Sequence, residues 1–228
     1  GMQALLSPGA YVLIEVPDFE YSLKSLDYSA VWEEHINGYT LGSLGYFLAN
    51  VGIEIIYNES VVFSGKSLVV LGKYMGKPVE VDPNKYLGNL KKKASFYKEQ
   101  WPHFRDNFIA YLEDQKKLGK KIAAYGAGCR TCTLINITGI GRCIDFMVDD
   151  QKEKQGKYMP GSRLHILPGE ALGKDVGLCL LGVNTENEDK VINKHKKYTD
   201  SGGKFVSMHP PSEKLPLFWK EKAIEQIN

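Results

Sequence analysis

The spacing of apolar residues changes character along the chain. In the first part, Tyr11–Val16 is a nearly unbroken apolar run entered through Ser7-Pro8-Gly9 and closed by Pro17, which predicts a buried strand. Thr40 is placed to cap a helix whose apolar stripe is Leu41, Leu44, Phe47, Leu48 and Val51. Ile53–Phe63 and Ser67–Tyr74 are β-rich runs joined by Ser64-Gly65-Lys66, the pattern of an antiparallel hairpin. Turn signals at Gly76-Lys77-Pro78 and Asp82-Pro83-Asn84, followed by the basic cluster Lys91-Lys92-Lys93, predict a break within residues 76–102.

Downstream, strand and helix signals alternate. Phe104, Phe108, Ile109 and Leu112 mark a helix ending near Gly119, followed by a strand at Ile122–Tyr125 and a helix over about Cys129–Ile137. A strand at Cys143–Val148, a long turn at Gln151–Ser162 and a short strand at Leu164–Leu167 come next. A strand at Gly177–Leu181, a helix at Glu186–Lys197 and a strand at Lys204–Val206 complete the series. Such alternation implies parallel βαβ units with right-handed crossovers. The expected fold is α/β: a Rossmann-like parallel sheet with flanking helices over residues 86–228, preceded over 2–85 by a smaller α+β segment that contains the hairpin.

Composition narrows the function classes. The 228 residues carry 29 basic and 27 acidic side chains, a net charge of +2, with 43% hydrophobic and 25% charged residues. That balance argues against a dedicated nucleic-acid binder. No apolar run approaches the roughly 20 residues needed to cross a bilayer. The four cysteines, Cys129, Cys132, Cys143 and Cys179, lie in or beside apolar segments, which suits reduced thiols in the cytoplasm.

Three constellations carry candidate chemistry. In Tyr125-Gly126-Ala127-Gly128-Cys129-Arg130-Thr131 a strand runs into a helix through glycines. Gly126 permits the tight turn, Gly128 lets an anion approach the backbone, and the helix N-terminus offers free amides. Asp149, at the end of the next strand, stands where a Rossmann acid holds a ribose hydroxyl. Thr131 replaces the third glycine of the usual fingerprint, so helix and strand are expected to pack less closely, which counts against NAD. A tight turn with no ligand is the plain alternative. Cys129 and Cys132 form a CxxC at the helix start; packing of the helix on the sheet is favoured over a redox dithiol, and no second ligand pair exists for a metal. The second constellation is Trp32-Glu33-Glu34-His35, where an acidic neighbour can hold His35 in the tautomer of a general base. A solvated polar turn reads the same. The third is the loop Asp149–Ser162, whose lysines, Lys154 among them, can meet phosphate while Tyr158 covers a base or sugar; a solvated connection is its alternative.

Together, LLSPGAYVLIEVPD, WEEH followed by GYTLGSL, KKIAAYGAG, FMVDDQKEKQGKYMPGS, LLGVNTENE and GGKF resemble the C-terminal part of the SAM-dependent C-methyltransferases of nucleotide-linked deoxysugars. The resemblance implies that this part binds a nucleotide-diphosphate sugar, through Gly126, Ala127, Gly128, Arg130, Asp149, Lys154, Tyr158 and Asn184. It implies that Glu34 and His35 take part in removing a proton beside the keto group, and that SAM methylates the resulting carbon. Trp32 stands where the family has tyrosine, and an indole cannot act as a phenolate. The family's SAM-binding and zinc-binding regions have no counterpart in the sequence read here, so no cofactor is assigned to this chain, and a separate SAM-binding subunit is an expected partner. The alternative is a non-catalytic nucleotide-sugar-binding module or partner subunit. An NAD(P)-dependent oxidoreductase is disfavoured by Thr131 and by the lack of a Tyr-x-x-x-Lys pair near the turn.

Overall fold

A computed structural model describes residues 2–32 and 34–224 of the chain, with the backbone alone at residue 2 and at 221–224. Two sheets organise it. Strand β1 (Tyr11–Pro17) is followed by helices α1 (Phe19–Lys24) and α2 (Leu41–Asn50), then by the hairpin β2 (Ile53–Val61) and β3 (Ser67–Tyr74). These strands form an antiparallel sheet in the order β1-β3-β2, with Val12 opposite Gly72 and Ile14 opposite Val70. Alternation places Val12, Leu68, Val70 and Ile53 on one face, where Leu44 and Leu48 of α2 cover them. Thr40 caps α2 as expected: its Oγ1 accepts from the Ser43 amide at 3.1 Å, and Ser43 Oγ accepts from the Thr40 amide at 2.9 Å. Leu41 and Phe47 of the predicted stripe remain exposed, because only one face of this short helix meets the sheet.

Helix α3 (Pro83–Leu87) leads into α4 (Leu90–Lys116), so positions 90–102 of the predicted break are helical. The lysine cluster is not a linker but the first turn of α4, where Lys93 pairs with Glu20. Good helix formers on a solvated face explain the difference. Phe104, Phe108 and Leu112, spaced by four, are the buried stripe of α4.

The second sheet is parallel, in the order β6-β5-β4-β7-β8, made by β4 (Lys121–Tyr125), β5 (Phe146–Val148), β6 (Ile166–Leu167), β7 (Val176–Leu181) and β8 (Lys204–Ser207). Helices α4 and α5 (Cys129–Thr138) cover one face; α6 (Thr185–Lys194) and α7 (Lys196–Asp200) cover the other. The last described element is α8 (Leu217–Ile224), which brings Trp219 into the α4 side of the core. The fold is the α/β arrangement that the alternation implied. Several boundaries differ. Ile140–Cys143 is a 3-10 turn before β5, β6 is limited to Ile166–Leu167, and the predicted helix Glu186–Lys197 is two helices that meet at His195.

The connection leaving β4 runs to β5 on one side, and the connection leaving its neighbour β7 runs to β8 on the other. A crevice therefore opens beyond the carboxyl ends of β4 and β7, the usual ligand position in such sheets. The segment before α2 belongs to the wall of this crevice. Leu26 and Tyr28 are buried in the core of the parallel sheet; Tyr28 Oη donates to the Tyr97 carbonyl at 2.7 Å, and Trp219 Nε1 donates to the Ser25 carbonyl at 2.7 Å.

Candidate functional site

A cleft of about 810 Å³ occupies the crevice. Its floor is the turn between β4 and α5. Gly126 has φ +98°, and a Cβ there would lie 2.8 Å from the Gly182 carbonyl oxygen, so glycine is required. Gly128 is the N-cap of α5, with no side chain capping the first-turn amides and open space where its Cβ would be. This end of a ten-residue helix is open to an anion, with the positive end of the dipole behind it.

Other members of the turn are engaged by the protein itself. The Ala127 amide donates to Asp149 Oδ2 at 2.8 Å, and Asp149 Oδ1 accepts from the Gln151 amide at 2.8 Å. Lys154 Nζ lies 3.3 Å from Asp149 Oδ2. The acid expected on a ribose therefore holds the turn in shape, and Ala127 is not among the cleft-lining residues. Thr131 does not loosen the packing. Its fully buried hydroxyl donates to the Gly182 carbonyl at 2.7 Å, and a side chain at 182 would collide with it. Close contact comes from a glycine on the neighbouring strand's exit instead of one on the helix.

Behind Thr131 lies His209, buried, with Nε2 3.2 Å from the Thr131 hydroxyl. Because that hydroxyl donates to Gly182, Nε2 must carry the hydrogen. Burial, and next the charge of Arg130, holds this imidazole well below the ordinary histidine pKa.

Arg130 points back into the protein. Its Nε donates to Ser29 Oγ at 2.7 Å, one terminal nitrogen pairs with the buried Asp27 carboxylate, and the other donates to the Ser64 carbonyl at 3.3 Å. His35 stands across the cleft. Its Nδ1 lies 2.8 Å from the Ala30 carbonyl oxygen, which can only accept, so Nδ1 carries hydrogen and the neutral ring keeps a lone pair on Nε2. The expected partner, Glu34, is exposed and does not line the cleft; a backbone carbonyl does the work assigned to it. Glu33 lies outside the described residues. The Trp32 ring packs beside the imidazole, centroids 4.8 Å apart.

The cleft thus brings together His35, Gly126, Gly128, Arg130, Asp149, Lys154 and Asn184. Tyr158 is not there. The 151–165 segment folds back on itself, with the Met159 amide donating to the Leu164 carbonyl at 2.8 Å. This sends Met159 into the core and Tyr158 outward, 63% exposed and stacked on His165 at 5.0 Å. Cys129 is exposed at the cleft and does not pack the helix on the sheet, whereas Cys132 is half-buried and donates to the Pro160 carbonyl at 3.5 Å.

Sequence reasoning missed two contributors. The hairpin tip supplies Phe63, Ser64 and Lys66; the Ser64 amide donates to Glu186 at 3.1 Å, closing the cleft's rim against α6. Helix α6 supplies Asn187, Lys190 and Lys194, whose spacing of three and four residues puts them on one face with Val191. That periodicity was a usable signal. Burial acts to raise the Asp150 carboxyl, but its pair with Lys194 at 2.6 Å outweighs this and leaves it below the usual range. Lys190 has no acidic partner among the described residues. No group of three or more His, Cys, Asp or Glu among those residues is placed to hold a metal, and no helix is long and apolar enough to cross a membrane.

One chamber thus holds an uncapped helix end, a lysine without an acidic partner among the described residues, and an imidazole whose Nδ1 is engaged by a carbonyl. The chain is similar to C-methyltransferase NovU of Streptomyces niveus, with 26% identity over an alignment of 216 positions that covers 90% of this chain and 51% of that protein. It therefore spans about half the length of that relative. Residues 85–210, more than half of the 228, match the C-methyltransferase C-terminal domain family, and the chain belongs to that family.

Proposed function

We propose that this chain binds a nucleotide-linked keto-deoxysugar and removes a proton from the carbon beside its keto group, as one part of a SAM-dependent C-methyltransferase. The observation that carries this reading is the shared cleft: the open N-terminus of α5 and His35 line one chamber. The diphosphate would lie on the amides following Gly128, with Lys190 and Lys66, whose ammonium lies 5.9 Å from the Tyr21 ring centroid, as cations of the lining without an acidic partner among the described residues. The sugar would reach towards His35.

In the chemical step the C–H bond breaks, its proton passes to Nε2 of His35, and the electron pair enters the C=C bond of an enolate whose charge rests on the former carbonyl oxygen. The Ala30 carbonyl favours this by keeping the other nitrogen protonated and by stabilising the imidazolium that forms. The described residues do not fit SAM itself. Their glycine-rich strand-to-helix turn is assigned to the diphosphate, and Asp149, which a ribose would need, holds that turn. The methyl group that SAM supplies when bound therefore enters no step derived from these residues.

The test needs no methyl donor. In D2O, the protein should exchange the proton beside the keto group of a nucleoside-diphosphate 4-keto-6-deoxysugar, and His35→Ala should stop the exchange while nucleotide-dependent thermal stabilisation persists. A second reading, a binding module without catalysis, is favoured by Trp32 in place of the family's tyrosine. Stabilisation by the nucleotide sugar with no exchange in the unmodified protein would establish that alternative. No stabilisation at millimolar ligand would remove both.

A further inference from the structure

We propose that Arg130 is a positioning residue that sets the orientation and tautomer of His35, and not a phosphate ligand. The proposal rests on the reading of His35 as the base, but the arrangement is written in hydrogen bonds. A guanidinium has five N–H groups and no acceptor. In Arg130, Nε is directed to Ser29 Oγ, one terminal nitrogen to Asp27 and to the Pro210 carbonyl at 3.4 Å, and the other to the Ser64 carbonyl. Little of the fork remains for a ligand.

The partners form one continuous device. Asp27 is buried, with Arg130 as its cation. Its Oδ1 accepts from the Ser29 amide at 3.1 Å and from the Ser29 hydroxyl. The Ala30 amide donates to the Asp27 carbonyl at 3.3 Å, so residues 27–30 form a closed single turn. The next group out of that turn is the Ala30 carbonyl, which receives His35 Nδ1. A single cation thus fixes a turn, and the turn presents the acceptor that decides which nitrogen of the imidazole is bare. Lysine cannot substitute, because one ammonium cannot span Ser29, Asp27 and two carbonyls in a plane. The same cation joins the α5 start to the hairpin tip, so the helix end that receives the anion and the base share one strut.

The experiment uses the full chain with 15N-labelled histidine and long-range 1H–15N correlation, which reports the tautomer of each ring, alongside binding of UDP and dTDP. In the unmodified protein His35 should carry its hydrogen on Nδ1; the opposite tautomer would overturn the proposal without any variant. In Arg130→Lys and Arg130→Gln the His35 signals should move to a mixture of tautomers. Proton exchange of the keto sugar should fall by at least about tenfold, with nucleoside-diphosphate affinity nearly unchanged. An unaltered His35 signal in folded Arg130→Lys, with affinity lost, would make Arg130 a phosphate ligand and end the proposal. Should Arg130→Gln fail to fold, Ser29→Ala supplies the second case, since it removes the bridging hydroxyl while leaving the Asp27 pair intact. Absence of nucleotide binding and of exchange in every form would refute the functional reading; the tautomer measurement would still decide the role of Arg130.

Discussion

The two sheets meet water differently, and the cleft inherits the difference. Every strand of the parallel sheet is covered on both faces, and β4, β5 and β7 are almost wholly buried. The antiparallel sheet is covered on one face only, so Leu13 of β1 is 72% exposed while Val12 beside it is buried. Elements that must keep a fixed geometry, the turn at Gly126 and the open end of α5, hang from the rigid sheet. The hairpin tip that rims the cleft hangs from the other, and a few exposed polar contacts fasten it. On the proposed reading, a crevice with one fixed wall and one loosely fastened wall can admit a bulky ligand and still hold its phosphates in one place.

The contrast can be broken most directly in the core. Phe108→Ala should cost about 3–5 kcal/mol in denaturant unfolding, whereas Leu13→Ala should stay within about 0.5 kcal/mol. Comparable losses from the two would mean that the open face is covered in solution. A smaller effect comes from pH. His209 under the turn stays neutral in the folded state, while in the unfolded chain it protonates near its ordinary pKa of about 6.5. Stability is therefore full above that pH and declines as pH falls below it, by up to about 1.4 kcal/mol per unit for one such group. Melting curves of His209→Gln should show a shallower acid slope, and an unchanged slope would place the titrating group elsewhere. The smallest effect concerns the yielding wall. Glu186→Ala should alter global stability by no more than about 0.5 kcal/mol yet speed hydrogen exchange at the Ser64 amide. Unchanged exchange would show that this contact does not hold the hairpin.

Much of the architecture was legible because each half writes its burial in its sequence. IAAY and VGLCLL are nearly continuous apolar runs, the mark of strands covered on both sides, and the hairpin carries its own turn at Ser64–Lys66. The lysine cluster misled because charge was read as a linker where it marks only the wet side of a helix. At the site, the glycine turn and His35 were visible as local patterns. What each polar group does was not, because its partners are remote in sequence: Arg130 meets Asp27, and Ala127 meets Asp149. Local spacing also could not show that the 151–165 segment satisfies its own backbone and turns Tyr158 away. The lysine face of α6 is readable from its spacing of three and four residues.

On the proposed function, the bond from the Ala127 amide to Asp149 bears on the choice of nucleotide carrier. In dinucleotide enzymes of this topology, the acid at that strand end discriminates by gripping the 2′-oxygen. Here the grip is closed on the backbone, so uridine-type and deoxythymidine-type carriers should be received alike, and any choice between them must be made at the base.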